Sequence, residues 1–122
     1  MSGEPQDRHG WEREGLRRLV EVYLWERFRS RETAQVTELA DSVPVRRTHL
    51  TAVFREYLSD SPKRLMHEYQ VIEAKRLLTQ YVYSIEEVAH RAGFGSELAF
   101  HRAFVRFVGV SPRDYRAKNR TN

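Results

Sequence analysis

The chain has 122 residues, of which 40% are hydrophobic and none is cysteine. This length makes one compact body or two very small ones that share core elements. The missing thiol excludes disulfides, thiolate metal sites and cysteine nucleophiles. The sequence has no apolar run of about 20 residues and no signal-peptide pattern, so neither a membrane span nor secretion is supported. We therefore expect a cytoplasmic protein.

The positive charge lies in the later part of the chain. Residues 1–35 carry seven Arg and seven acidic residues, whereas residues 36–122 carry fourteen Lys or Arg and ten acidic residues, which accounts for the net charge of +4. A positive surface attracts phosphate groups. A mild excess also serves solubility, so charge alone does not identify a partner.

The N-terminal region divides into a tail and a helix. Residues 1–10 lack apolar side chains after Met1 and are expected to be disordered. From Trp11 to about Arg29, apolar residues recur at helical spacing, which predicts one amphipathic helix packed on the segment that follows. Trp25 lies just off the apolar stripe, which leaves partial burial or a contact surface as alternatives. The stripe consists of Leu16, Leu19, Val20, Tyr23, Leu24 and Phe28.

One pattern then occurs twice. Each unit has a short amphipathic segment, a turn and a longer amphipathic segment, which is the pattern of a helix-turn-helix. The second turn is one residue longer than the first. The matching stretches are Leu50 to Phe54 with Ser61-Pro62-Lys63, and Phe100 to Phe104 with Ser111-Pro112-Arg113; upstream, Val36, Leu39 and Ala40 match Ile85, Val88 and Ala89.

Local signals support helix boundaries in both units. Ser84-x-x-Glu87 is a capping box, whose hydroxyl and carboxylate satisfy free N–H groups at a helix start. Gly93 follows where that helix must stop, since glycine reaches positive φ without strain. Ser61 and Ser111 each precede a proline, which predicts a capped helix after each unit.

The segment from Pro62 to about Gln80 is predicted to be a long helix that touches both units. A rigid helix there would fix the separation of the units, and successive major-groove segments on one face of a duplex lie about 34 Å apart. An ordinary core helix without this spacing role is the alternative. Its apolar residues are Leu65, Met66, Tyr69, Ile72, Leu77 and Leu78.

Residues 36–116 resemble the double helix-turn-helix domain of the AraC/XylS family of bacterial transcription regulators. Ala74 and the Leu77-Leu78 pair are similar to the linker helix of that family, and Trp11–Arg29 is similar to its first helix. The strongest match is a long gapped pattern near the C-terminus. It comprises Ile85, Val88, Ala89, Gly93, Phe94, Phe100, Arg102, Ala103, Phe104, Gly109, Pro112 and Tyr115.

The resemblance implies an all-α fold of about seven helices in two homeodomain-like subdomains. Residues 11–61 would form the first with its N-terminal helix, 62–80 the linker helix and 81–122 the second. The resemblance also implies a regulator that binds double-stranded DNA through the second helix of each unit. It covers nearly the whole chain and leaves no room for a small-molecule effector domain, so we expect a stand-alone member or a domain cut from a larger one. A monomer is favoured over a dimer, and no cofactor is expected.

In the first unit, the exposed side of the second helix is predicted to carry base-contact candidates. An arginine can form a fork to guanine O6 and N7, and a threonine can offer a hydroxyl or touch a thymine methyl. The two arginines could instead pair with phosphate, which positions the protein without specifying a base. The candidates are Arg46, Arg47, Thr48 and Thr51.

In the second unit, Arg102 is the leading candidate for a base contact because it recurs in the family pattern and has the fork geometry. Glu97 could accept from cytosine N4, stabilise the helix N-terminus or hold Arg102. Leu98 would touch a thymine methyl if exposed and would otherwise be core. Ser96 and His101 complete the candidate set.

Four basic residues flank these helices and are candidates for phosphate contact. Lys63 and Arg113 gain support from their places near predicted helix N-termini, where backbone N–H groups also favour an anion. The other two are Arg55 and Arg106.

The first unit departs from the family pattern at three positions. Pro44 replaces a turn glycine, Ser59 stands where Gly109 closes the second unit, and Arg46 replaces a capping serine, a cap worth about 1 kcal/mol. We therefore expect the geometry of the first unit to differ from that of the second.

Two other functional classes were compared with DNA binding. A protein-interaction module that contacts RNA polymerase or another regulator stays open because of Trp25, Pro44, Glu97 and Leu98. An enzyme is not expected, since no nucleophile, base and oxyanion donor converge. No metal is expected either, because the five histidines form no metalloenzyme pattern with neighbouring carboxylates.

Overall fold

The computed structural model describes residues 13–42, 52–56 and 61–120, and within them the chain is helical with no strand. This confirms the all-α prediction. The disordered-tail prediction for residues 1–10 falls outside the described residues, as do Pro44, Ser59, Arg46, Arg47, Thr48 and Thr51. The helices are α1 Arg13–Ser30, α2 Val36–Asp41, α3 52–56, α4 Pro62–Gln80, α5 Ile85–Arg91, α6 Glu97–Val108 and α7 Pro112–Asn119.

Serine side chains cap four of these helices. Each hydroxyl accepts a hydrogen bond from a backbone N–H of the first turn at 3.0–3.1 Å, which satisfies a donor that lacks a partner inside the helix. The predicted caps before α4, α5 and α7 are therefore confirmed. The capping serines are Ser61, Ser84, Ser96 and Ser111.

The capping box of α5 forms in part. The Ser84 hydroxyl accepts from the backbone N–H of Glu87 at 3.0 Å, as predicted. The Glu87 carboxylate, however, accepts from Arg91 Nε at 2.7 Å, one turn along the same helix. Arg91 also lies over the ring of Tyr83, with the guanidinium carbon 4.0 Å from the ring centroid. Competition from Arg91 thus turns Glu87 away from the helix start.

The first hydrophobic core lies between α1, α2, α3 and the start of α4. Residues of α1 spaced by four face this core, in agreement with the apolar stripe read from the sequence. Phe54 of α3 is fully buried in it. The buried members are Leu16, Val20, Leu24, Leu39, Ala40, Phe54, Leu65 and Met66.

The second core is built on a chain of aromatic rings. The ring centroid of Phe100 lies 5.3 Å from that of Phe94 and 5.6 Å from that of Phe104. Tyr115 of α7 continues the chain, 5.4 Å from Phe104 in an edge-on arrangement. Such tilted contacts are favoured over face-to-face stacking, so these rings hold α6 and α7 in a defined packing.

Helix α4 belongs to both cores. Leu65 and Met66 near its start are buried in the first core, and Leu77 and Leu78 near its end are buried in the second. The prediction of one long helix that touches both units is confirmed. Ile72, counted with its apolar residues, is instead half exposed.

The two units also meet directly. The backbone N–H of Ala34, between α1 and α2, donates to the carbonyl oxygen of Gly93 in the second unit at 2.8 Å. The buried side chain of Gln70 in α4 donates through Nε2 to the carbonyl oxygen of Ala92 at 3.0 Å. Both bonds end on the turn between α5 and α6, so this turn is held against the first unit and the linker helix.

His67 of α4 lies half-buried beside Phe94, with 6.0 Å between the ring centroids. Burial lowers the pKa of His67, and the positive charges of Lys63 and Arg106 lower it further. The imidazole is therefore harder to protonate in the folded protein than in the unfolded chain.

The turn at Gly93 yields a stability prediction with a matched control. Gly93 has φ +82°, and an added Cβ would lie 3.3 Å from Gln70 Nε2 and 3.5 Å from Ala34. Gly109 has φ +93° with no atom within 4 Å of an added Cβ. The left-handed conformation costs an alanine about 1–2 kcal/mol. We expect Gly109→Ala to lower the unfolding free energy by about 1 kcal/mol, and Gly93→Ala to lower it further because it also crowds Gln70.

Urea denaturation of the two alanine variants measures this difference. Equal losses at both glycines would contradict a tight packing of the α5–α6 turn against Gln70 and Ala34.

His67 yields a prediction about pH. Because its folded pKa lies below the unfolded value of about 6.5, the unfolded state binds more protons in this range. The His67 contribution to stability is therefore complete above about pH 6.5 and is lost as the pH falls towards the folded pKa. His67→Gln should show a smaller loss of unfolding free energy between neutral and mildly acidic pH than the wild type. Chemical denaturation at both pH values tests this, and an unchanged loss would contradict it.

Candidate nucleic-acid interface

The structure gives α6 one buried and one exposed face. Phe100, Ala103 and Phe104 point into the second core. The opposite face carries every candidate predicted for this helix together with Val105, and all of them are exposed. Since the buried face is locked by aromatic packing, the exposed face is presented on a rigid support. The exposed residues are Glu97, Leu98, His101, Arg102, Val105 and Arg106.

A tight turn sets the direction of α6. The backbone N–H of Gly93 donates to the His90 carbonyl oxygen at 3.1 Å, and that of Phe94 donates to the Ala89 carbonyl oxygen at 3.0 Å. These two bonds, with Gly93 left-handed, form the motif that commonly ends a helix before a sharp change of direction. The predicted role of Gly93 is confirmed, and Ser96 then starts α6.

Arg102 is exposed and has no ion pair or hydrogen bond within the described residues. Glu97 occupies the first position of α6 and does not pair with Arg102 in this part of the chain, so the interpretation that it holds Arg102 is not supported. Its place at a helix start agrees with the interpretation that it stabilises the N-terminus. The Arg102 guanidinium keeps all of its donors available to a ligand.

The other members of the exposed face differ in chemistry. The Ser96 hydroxyl accepts from the Ala99 N–H, which leaves its proton available for donation. Leu98 is 56% exposed, so the core alternative for this residue is wrong. Val105 is 38% exposed and lies two turns after Leu98. The helix thus presents an apolar line beside its charged residues.

The basic candidates around α6 are all exposed. Lys63 and Arg113 follow Pro62 and Pro112 at the second positions of α4 and α7. The positive charges of Lys63 and Arg106 both lower the pKa of His67, because the start of α4 and the later half of α6 lie close together. Arg55 is exposed on α3.

One more basic residue at this junction was missed in the sequence. The guanidinium carbon of Arg64 lies 5.3 Å from the ring centroid of Phe107, across the gap between α4 and α6. Neighbours in space from two distant segments leave no local signal in the sequence, which is why neither Arg64 nor His67 was proposed.

Within the described ranges, no group of three or more His, Asp or Glu side chains could hold a metal. In the same ranges no helix has the length and apolarity needed to cross a bilayer.

Comparison with known proteins places this geometry in a family. A family model described as a helix-turn-helix domain matches residues 39–118. The transcriptional regulator GbdR of Pseudomonas aeruginosa is 35% identical over 99 residues, which cover 81% of this chain and 27% of GbdR. An AraC-like transcription regulator of Streptomyces lividans is 35% identical over 81 residues, covering 66% of this chain and 27% of that protein. The chain spans about a quarter of the length of these relatives.

A solved structure adds a similar fold in contact with DNA. The DNA-binding domain of the global transcriptional factor AdpA, crystallised with a target DNA, is 33% identical with a TM-score of 0.73. The similarity covers 84% of this chain and 90% of the AdpA chain. A sequence match across most of the chain and a shared arrangement of helices agree with one another. The chain therefore belongs to the AraC-type helix-turn-helix family.

Proposed function

We propose that this chain binds double-stranded DNA sequence-specifically as a transcription regulator, with the second helix of each unit in successive major-groove segments. One observation carries the proposal. The exposed face of α6 holds Arg102 without a partner in the described residues, while the opposite face of the helix is buried among aromatic rings. The similarity to AdpA, solved with its target DNA, supports the same partner.

Arg102 is proposed as the main base-reading residue. Its guanidinium has no partner within the described residues and stands on the exposed face of α6. A guanidinium can donate two parallel hydrogen bonds to O6 and N7 of guanine, a pattern that no other base offers in the major groove. His101 and Ser96 are exposed nearby as further hydrogen-bonding groups, and Glu97 is proposed to accept from cytosine N4.

The apolar line on α6 supplies a second kind of reading. Leu98 and Val105 are exposed on the same side as Arg102. An aliphatic side chain in the major groove recognises the C5-methyl group of thymine. A preferred site for the second unit should therefore combine guanine with nearby thymine.

Phosphate contacts are proposed to position the protein on the duplex. Lys63 and Arg106 are exposed at the junction of α4 and α6, and Arg113 is exposed at the start of α7. Cations at such places neutralise phosphates and release counterions, which makes binding fall steeply with salt. Arg55 of α3 is proposed to do the same in the first unit.

The first unit is proposed to read bases as well. Its candidates Arg46, Arg47, Thr48 and Thr51 belong to the segment outside the described residues, and Phe54 anchors the adjoining α3 in the first core. Because α4 is buried in both cores, it supports a fixed separation between the two reading helices. We propose residues 11–61 and 81–122 as the two subdomains and 62–80 as the linker.

Arg102→Ala tests base reading against a matched phosphate variant, Arg113→Ala. On a duplex selected from a random pool by the wild type, we expect Arg102→Ala to lose about 1–3 kcal/mol of binding free energy and to tolerate changes at one base pair. Arg113→Ala should weaken binding to all sequences alike and reduce the salt slope by about one. Fluorescence anisotropy over a range of salt concentrations measures both effects.

Some outcomes would contradict this function. Binding without steep salt dependence, or equal losses for Arg102→Ala on selected and random duplexes, would show that α6 does not read bases. Co-purification with RNA polymerase in the absence of promoter DNA would then favour the protein-interaction alternative. Phe104 is unsuitable for this test, since it is fully buried and its truncation should unfold the second unit.

A further inference from the structure

An open groove runs between α1 and α4. Its volume is about 410 Å³, and Val22, Trp25, Phe28, Tyr69 and Ile72 are among its lining residues. A second hollow of about 170 Å³ shares Trp25 and Phe28 with it and continues towards Tyr81. Among the residues that the structure describes, none of the proposed base or phosphate contacts lines either hollow.

The groove exposes several apolar side chains. Trp25 is 57% exposed, Val22 53% and Ile72 52%. Single apolar residues on a surface are common, but a contiguous group around a concave site marks a contact surface. Tryptophan is also one of the residue types enriched among the few residues that carry most of the binding energy of protein interfaces. The groove therefore has the character of a protein-binding site.

The charges around the groove limit what can bind there. Arg18, Glu21, Glu26 and Arg29 of α1 are exposed, and within the described residues none of them makes an ion pair or a side-chain hydrogen bond. Arg27 in the same helix, by contrast, pairs with Glu32 at 2.6 Å. Two positive and two negative groups without partners balance each other, which disfavours a strongly acidic or strongly basic partner.

We propose that the groove is a self-association surface, on which a second copy of this chain docks with the two α1 helices antiparallel. A two-fold interface uses the same patch on both copies, so the patch must be complementary to itself. With Trp25 on the two-fold axis, Glu21 lies four residues before it and Arg29 four residues after it. Each Glu21 then lies at the level of the partner's Arg29, and the two pairs flank the paired tryptophans.

The pairing is reversible and depends on protein concentration. At protein concentrations below the dissociation constant of the dimer, the chain is a monomer, as expected from the sequence. One copy can then still occupy a DNA site alone. The proposal does not rest on the proposed DNA binding, because its residues and its measurement are separate from those of α6.

Sedimentation equilibrium of the 122-residue chain tests the surface directly. The wild type should show a monomer–dimer equilibrium, and Trp25→Ala should raise the dissociation constant at least about tenfold. Glu21→Lys and Arg29→Glu each place like charges opposite each other twice, so each should also weaken the dimer. Arg13→Glu serves as the matched control, because it changes an exposed charge at the start of α1 outside the groove. It should leave the dissociation constant of the dimer unchanged.

Mixing the two charge variants distinguishes a second copy from any other occupant. An equimolar mixture of Glu21→Lys and Arg29→Glu should recover dimers, because each altered residue then meets an opposite charge on its partner. The double variant should recover them as well. A wild type that stays monomeric at its highest soluble concentration would overturn the proposal, and so would a mixture that remains as weak as its components.

Discussion

Burial of both ends of one helix is the constraint on which the remaining structure depends. Leu65 and Met66 at the start of α4 close the first core, whereas Leu77 and Leu78 at its end close the second. Neither core is complete without α4, because its buried residues supply part of each. The two units therefore cannot separate without exposing apolar surface, and Gln70, buried between them, adds a hydrogen bond to the α5–α6 turn.

The same constraint explains how α6 can leave one face unused. A helix of twelve residues is marginal by itself in water, and most of its stability in a protein comes from packing of its apolar side. Phe100 and Phe104 supply that packing through a run of ring contacts that extends to Tyr115. With stability supplied from the buried side, the exposed side is free to carry residues chosen for a ligand.

Local features of the fold could be predicted from the sequence, whereas contacts between distant segments could not. Ser61, Ser111 and Gly93 act within one turn of the chain, so their spacing alone revealed the helix ends. The bond from Ala34 to Gly93 joins two backbone groups, which leave no trace in residue types. Ile72 has the apolarity of a core residue but lies at the rim of a groove, because burial depends on which helix packs against it.

The candidate site follows the same division. The exposed positions of α6 follow from helical spacing once Phe100 and Phe104 are placed in the core, so Arg102 could be named in advance, whereas Leu98 was left open between exposure and burial. Glu97 was ambiguous, since a carboxylate at a helix start can act on the helix, on a base or on a neighbouring arginine. The grouping of Lys63, His67 and Arg106 required the packing of α4 against α6.

Self-association through α1 would change the proposed binding to DNA without adding any contact to DNA. Two copies joined at the groove turn the second binding event into an intramolecular one, whose effective concentration depends on the geometry of the joint. A rigid pair gains strength on two sites at one spacing and gains nothing on sites at another. Because Trp25 and Arg102 lie on different helices, the spacing between sites and the bases within a site could be selected independently.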